Sequence, residues 1–314
     1  MGKPKEKITG SRAKDASVQK RGGNNRKDSH PKILVTRYKW VRGDVGKYES
    51  KVSNEMEASL LQHKLKFCLP PYLEQLSIEP CSSEERIFFK VSTSPPHVYM
   101  YQCLFRDLGV VIPFTPFEFE FLKKINVAPS QLHPNSWGFV LIFQILCSVM
   151  GIKLSLGVFM HFYQIKLGEP PFGWVSLSGS SNVGLFQIFL QSYKKFKEEF
   201  FKVQSAHKDA TSDTIFHLNG EPKFPLSWKS QPIRFYGSKG LVLSAAEKKD
   251  IEKLEVLARP LESKAILLLA GSKNPQDDLE SIMGQSKWRE LKAKYGDKDV
   301  ETEKVEAKKK KTTG

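Results

Sequence analysis

The sequence predicts an α+β fold that is mainly α: a compact helical core over about residues 116–166, with short strands, flanked by disordered basic tails. Three observations predict it. Thr115-Pro116-Phe117-Glu118 is a capping box with proline at the first helical position. Trp137–Met150 is apolar nearly all round, as a helix buried on every side must be. The two ends are polar, and residues 1–31 contain neither an aromatic residue nor a leucine, too little apolar surface to offset the entropy of ordering.

Order is expected to begin near Ile33-Leu34-Val35, with Tyr38-Lys39-Trp40-Val41 as aromatic anchors. Ser53–Lys66 reads as a helix capped by Ser53, with Glu55 and Glu57 in the first turn and Leu60, Leu61 and Leu65 at helical spacing. Short strands are expected at Leu76–Ile78 and Arg86–Val91, and Val98–Phe105 is a strand or the start of a helix. The capping box starts a helix from Pro116 to about Ile125. Ala128–His133 is the connection to the next helix, where Pro134 suits the first turn, His133 a capping or turn role and Gly151 the stop. Ser155 caps a third helix through Lys166. Strands follow at Trp174–Leu177 and Phe200–Val203, while Leu185–Leu190 stays ambiguous. Ser212–Gly220 reads as a loop or weak hairpin, and Phe224–Trp228 as an extended piece docking on the domain. A second capping box, Ser244-Ala245-Ala246-Glu247, starts a helix that ends before Pro260. Leu261–Ala270 is a further apolar stretch, Asn274–Asp278 a turn and Ser281–Tyr295 helical. This organises the chain into a basic tail (1–31), a main domain (32–235, core 114–203), a helical extension (236–295) and a Lys-rich tail (296–314).

The formal net charge is +15 and the pI near 9.5, which favours polyanionic partners. Four scattered cysteines without a C-x-x-C pair read as reduced, buried and intracellular. The N-terminus carries no apolar leader, and Phe139–Met150 is too short to span a membrane.

Catalytic readings find no support in the residues. A metal-dependent nuclease needs clustered carboxylates, yet no Asp or Glu stands between Glu120 and Glu169. The seven histidines are spread, no Cys/His pair has zinc spacing, and no cofactor is implied. Asp44-Val45-Gly46 sits in turn composition rather than in the apolar strand an aspartic protease dyad requires. Ser178–Ser181 lacks a nucleophile elbow, and Gly184 lacks a phosphate-loop setting. Charge remains. Lys194, Lys195, Lys197 and Lys202 interleave with Tyr193, Phe196, Phe200 and Phe201, so cations could neutralise phosphates while rings stack on bases. The same pattern describes an amphipathic element with a solvated Lys face, and Glu198 and Glu199 dilute it. Lys308, Lys309, Lys310 and Lys311 form a run suited to phosphate anchoring or nuclear import, which favours nucleus over cytoplasm.

Phe114–Phe117, the run Asn126–Trp137, Phe143–Gly151 and Gly173–Leu177 together resemble the plant gypsy-type transposon (transposase, gypsy type) domain. Tyr193–Lys197, Phe200–Val203 and Trp228 look like its distal part, and Tyr38–Val41 and Tyr101–Phe105 are similar to legume members, so the resemblance covers roughly residues 36–230. Its signature residues here are Pro129, Ser130, Gln131, Leu132, His133, Pro134, Asn135, Trp137 and Trp174, expected to be structural. The resemblance implies a retroelement origin and brings no catalytic residue. The expectation is a non-catalytic, gag-like or accessory structural protein, with RNA or DNA and self-association as candidate partners and no small-molecule substrate. A protein-interaction module using the aromatics of Pro170–Trp174 is the alternative, and a cryptic transposase or nuclease the second alternative.

Overall fold

The computed structural model describes residues 38–90, 96–180, 183–187, 193, 195–206, 214–217, 219–236 and 241–295. The chain divides into two units, Met1–Lys39 and Trp40–Gly314. Of the first, only Tyr38 and Lys39 are described, in a turn. The second holds nine helices and five strands among the described residues, the α+β, mainly α architecture expected.

Helix α1 (Glu55–Lys64) is capped by Asn54, not Ser53. The Asn54 side chain accepts from the Glu57 amide at 3.0 Å, while the Ser53 amide donates to the Glu57 carboxylate at 2.8 Å. Strand β1 (Leu76–Glu79) follows. The strand expected at Arg86–Val91 is instead a turn over the described residues 86–90. The buried Arg86 guanidinium donates to the carbonyls of Gly46, Ser83 and Glu85 and to Glu49, and that convergence holds the chain folded back. Residues 97–106 realise both readings in turn, strand β2 (His97–Tyr101) and then helix α2 (Gln102–Arg106).

Helix α3 (Pro116–Ile125) starts at the expected capping box and ends on Asn126 in the left-handed region. Helix α4 (Pro134–Met150) runs to Gly151, whose φ of 64° suits a residue without Cβ. The third core helix is shorter than expected: α5 spans Leu156–Phe162, and Tyr163–Lys166 leaves it as strand β3. These four residues pair antiparallel with β4 (Ser176–Gly179), from Tyr163 opposite Gly179 to Lys166 opposite Ser176. Alternating Tyr163 and Ile165 then point inward, which favours a half-buried strand over another helical turn. Strand β5 (Phe200–Ser205) is last in sequence but central in the second sheet, order β1-β5-β2, antiparallel to both neighbours.

The core lies where α3, α4 and α5 meet. Phe159 packs its ring 5.7, 5.5, 5.0 and 4.9 Å from those of Phe117, Phe121, Phe143 and Tyr163. Burying such a ring contributes about 1.5–3 kcal/mol. All four cysteines are buried and free. Burial pushes the Cys68 thiol up to about 11 and Cys81 up to about 12, so both stay protonated at neutral pH.

The second capping box starts α6 (Ala245–Glu255), whose Glu247 also accepts from the Ser155 hydroxyl that caps α5. Helix α7 (Ser263–Leu268) occupies the apolar stretch after it. Asn274–Asp278 is not a turn but the start of α8 (Pro275–Met283). Pro275 at the first position and Asp277 and Asp278 in the first turn suit a helix N-terminus. Gly284, at φ 84°, separates it from α9 (Gln285–Tyr295). Among the described residues no helix is long and apolar enough to cross a membrane.

Candidate functional site

The residues singled out by sequence fall into two places in the fold. One is the connection between α3 and α4, where the backbone turns through a short 3-10 segment, Pro129–Gln131, held by proline at its first position. Nearly all of it is buried. The Gln131 side chain donates to the Lys229 carbonyl at 2.8 Å and accepts from the Lys229 amide at 2.9 Å. The Trp228 indole donates to the Ser130 hydroxyl at 3.1 Å, and the Trp137 indole to the Pro129 carbonyl at 2.9 Å. Backbone bonds from Val175 to Gln131 and from His133 to Val175 add the stretch before β4, and the Ser136 hydroxyl accepts from the Leu177 amide. Residues 128–137 therefore clamp two segments distant in sequence, 228–229 and 175–177. Of these residues all but the half-buried His133 and Asn135 are buried.

His133 caps α4: its Nδ1 accepts from the Asn135 amide at 3.2 Å, which requires that nitrogen unprotonated. Burial, and secondarily the Lys197 ammonium, lower its pKa to about 4. The sign follows from linkage. Between about pH 6.5 and 4 the unfolded chain binds the proton that the folded chain refuses, so stability present above 6.5 is lost as pH falls to 4. The loss should reach about 3 kcal/mol at most. Urea unfolding from pH 7.5 to 4.5 checks this: His133→Asn keeps a cap and should flatten that slope.

The second place is the basic-aromatic segment before and within β5. Lys194 lies outside the described residues. Lys195 is exposed, with left-handed φ of 69°. Lys197 is drawn inward, its Nζ 4.8 Å from the centre of the Trp174 ring and 4.9 Å from that of Tyr48, within 3.3 Å of the Tyr48 hydroxyl. Phe196 packs against Tyr101, His133 and Trp174, and the Trp174 indole donates to the buried Tyr101 hydroxyl at 2.8 Å. Trp174 is thus part of the packing around Lys197. Lys202 is paired with Glu85 at 3.1 Å, and Tyr99 donates to the same carboxylate at 2.9 Å. Burial pushes the Glu85 carboxyl up, but the Ser82 amide, Tyr99 and Lys202 outweigh it and hold it below the usual carboxylate range. The structure therefore separates Lys195, Lys197 and Lys202 into one free and two engaged cations rather than a row. Lys308, Lys309, Lys310 and Lys311 lie outside the described residues.

The partners that sequence reasoning missed are Tyr48, Tyr101, Glu85 and Lys229. Only Glu85 had a local signal: Ser82 and Glu85 stand at capping spacing, and the Ser82 amide does donate to Glu85 at 2.6 Å. Among the described residues no three His, Cys, Asp or Glu side chains converge as a metal site.

No curated protein and no solved structure matches the chain. A family model does match residues 98–167, from β2 to the end of β3, including the whole 128–137 clamp. That model is described as "Putative gypsy type transposon", so over this stretch the chain is similar to the gypsy-type transposon family.

Proposed function

We propose that the chain is a non-catalytic, gag-like or accessory structural protein of a plant gypsy-type element, acting in the nucleus, that binds nucleic acid weakly through its basic tails. One observation carries the reading: the charge is segregated. Of 49 Lys+Arg and 34 Asp+Glu, 29 and 24 are among the described residues, so these hold only +5 of the net +15. Residues 1–37 alone hold 11 Lys+Arg against 3 Asp+Glu. The Lys308–Lys311 run is nearly balanced by its surroundings, with 6 Lys+Arg and 5 Asp+Glu over 296–314. Many cations among the described residues are also paired, as in Arg86–Glu49, Arg106–Asp107 and Lys51–Glu198.

The reading predicts a dissociation constant of about 10⁻⁴–10⁻⁶ M for single strands near physiological salt, falling steeply in affinity as salt rises. Changing Lys20, Arg21, Arg26 and Lys27 together to glutamine should make the log–log salt slope shallower by about 3, since each phosphate contact contributes about 0.7 on single strands. Fluorescence anisotropy across a salt series measures both. Binding that is flat in salt would reject the reading, and so would magnesium- or manganese-dependent strand cleavage by the purified chain.

A further inference from the structure

The folded domain presents a basic-aromatic surface that none of the expected sites includes. It forms where residues 231–236 bridge α3 and β3. The Ile233 amide donates to the Ile125 carbonyl at 2.8 Å, and the Asn126 side chain donates to the Gln231 carbonyl at 3.0 Å. Two residues on, the Ile165 amide donates to the Phe235 carbonyl at 2.9 Å, so the segment lies along the free edge of β3. This strap brings together cations from three elements. Lys123 and Lys124 stand on the exposed face of α3, Lys166 is exposed at the end of β3, and Arg234 belongs to the strap. Rings lie among them: the Lys124 ammonium sits 5.9 Å from the centre of the Phe235 ring, and Tyr236, 59% exposed, bonds Arg234. Glu169 opposes them, 3.3 Å from Arg234, so these five side chains sum to +3, and Glu120, Glu247 and Asp250 line, with Lys153, the pocket that Lys124 also borders.

We propose that this strap surface binds single-stranded nucleic acid, with Lys123, Lys124 and Lys166 on phosphates and Tyr236 stacking on a base. Charge complementarity names the occupant. The cations are spread over three elements rather than along one run of sequence, and the exposed Tyr236 ring adjoins Arg234 in the strap, a combination that suits a single-stranded backbone while offering a base a face to stack on. A duplex keeps its bases stacked inside and would use only the charges. The placement rests on the nucleic-acid reading above and adds to it a contact on the folded core.

The test uses the full chain and a fluorescent single-stranded oligonucleotide. Three variants are compared with the parent: Lys123, Lys124 and Lys166 changed together to glutamine; Tyr236→Ala; and Lys64, Lys66 and Lys264 changed to glutamine, which removes the same charge from exposed positions elsewhere. Thermal unfolding checks that each still folds. The first should make the salt slope shallower by about 2. Tyr236→Ala should weaken binding roughly tenfold without changing the slope, and should leave duplex binding unaltered. The control should do neither. If the first two behave like the control while the Lys20/Arg21/Arg26/Lys27 variant loses binding, the strap is overturned and the basic-segment reading stands. If the parent chain binds no single strand at low salt, both fall. Equal losses on duplex and single strand for Tyr236→Ala would also overturn the stacking role.

Discussion

Trp137→Ala should cost the domain about 3–5 kcal/mol of stability, the range for removing a fully buried large aromatic side chain. The side chain is wholly buried, its ring centre 5.2 Å from that of Phe114, and its indole donates to the Pro129 carbonyl at 2.9 Å. Two effects are mixed in that number, and Trp137→Phe separates them. Phenylalanine keeps most of the apolar contact but removes the donor, so it should cost about 1–3 kcal/mol for the buried carbonyl it deprives, plus a smaller packing loss. Urea unfolding followed by far-ultraviolet circular dichroism measures both. A Trp137→Phe loss as large as that of Trp137→Ala would mean that the bond to Pro129, not the ring's bulk, sets the position of the connection. A loss below about 1 kcal/mol for Trp137→Ala would contradict its place at the centre of the clamp.

The reach of sequence reasoning followed the reach of the interactions. Thr115 with Glu118, and Ser244 with Glu247, are partners three residues apart, and both boxes stand as the residues read. Gly151 ends α4 for a reason contained in its own backbone. Helix continuation failed at Tyr163, because what competes with the next helical turn is β4, beginning ten residues beyond the end of β3 and visible only once the chain has folded. Arg86 failed the same way: β-forming neighbours argue for a strand, but Gly46 and Glu49, some forty residues earlier, take its guanidinium. The α8 error is different, since Pro275, Asp277 and Asp278 form a local start signal that turn composition obscured. At the site, Lys197 and Lys202 were legible as cations beside rings. That Trp174 and Tyr48 would enclose one, and Glu85 pair the other, depends on contacts 23 to 149 residues apart in sequence. The strap surface is the extreme case, because α3, β3 and residues 231–236 share no pattern that points to one face.

Gln131→Leu should lower stability by about 2–5 kcal/mol, comparable to losing Trp137, although it exchanges one side chain for another of similar size. The reason is polar rather than steric. Gln131 is fully buried and makes a paired bond to the backbone of the half-buried Lys229, and leucine would leave that N–H and C=O without their partner, at about 1–3 kcal/mol each. Gln131→Glu provides the sharper test. Ionised, it would bury a charge and lose the donor to the Lys229 carbonyl. Protonated, it has one O–H donor and one carbonyl acceptor, the same complement the amide uses. Its folded pKa should therefore lie above the ordinary carboxylate value. The folded state then binds the proton more tightly than the unfolded chain, so the variant's deficit against the parent should shrink as pH falls through that raised pKa. The acid sensitivity of His133 is common to both proteins and cancels in the difference. A deficit independent of pH would show that the Lys229 pair is not what Gln131 supplies. Because Lys229 leads directly into the strap, the same substitution should also expose Lys229 and Arg234 to trypsin sooner, and it should weaken single-strand binding at neutral pH more than at pH 5. That would tie the buried 128–137 connection to the surface it holds in place.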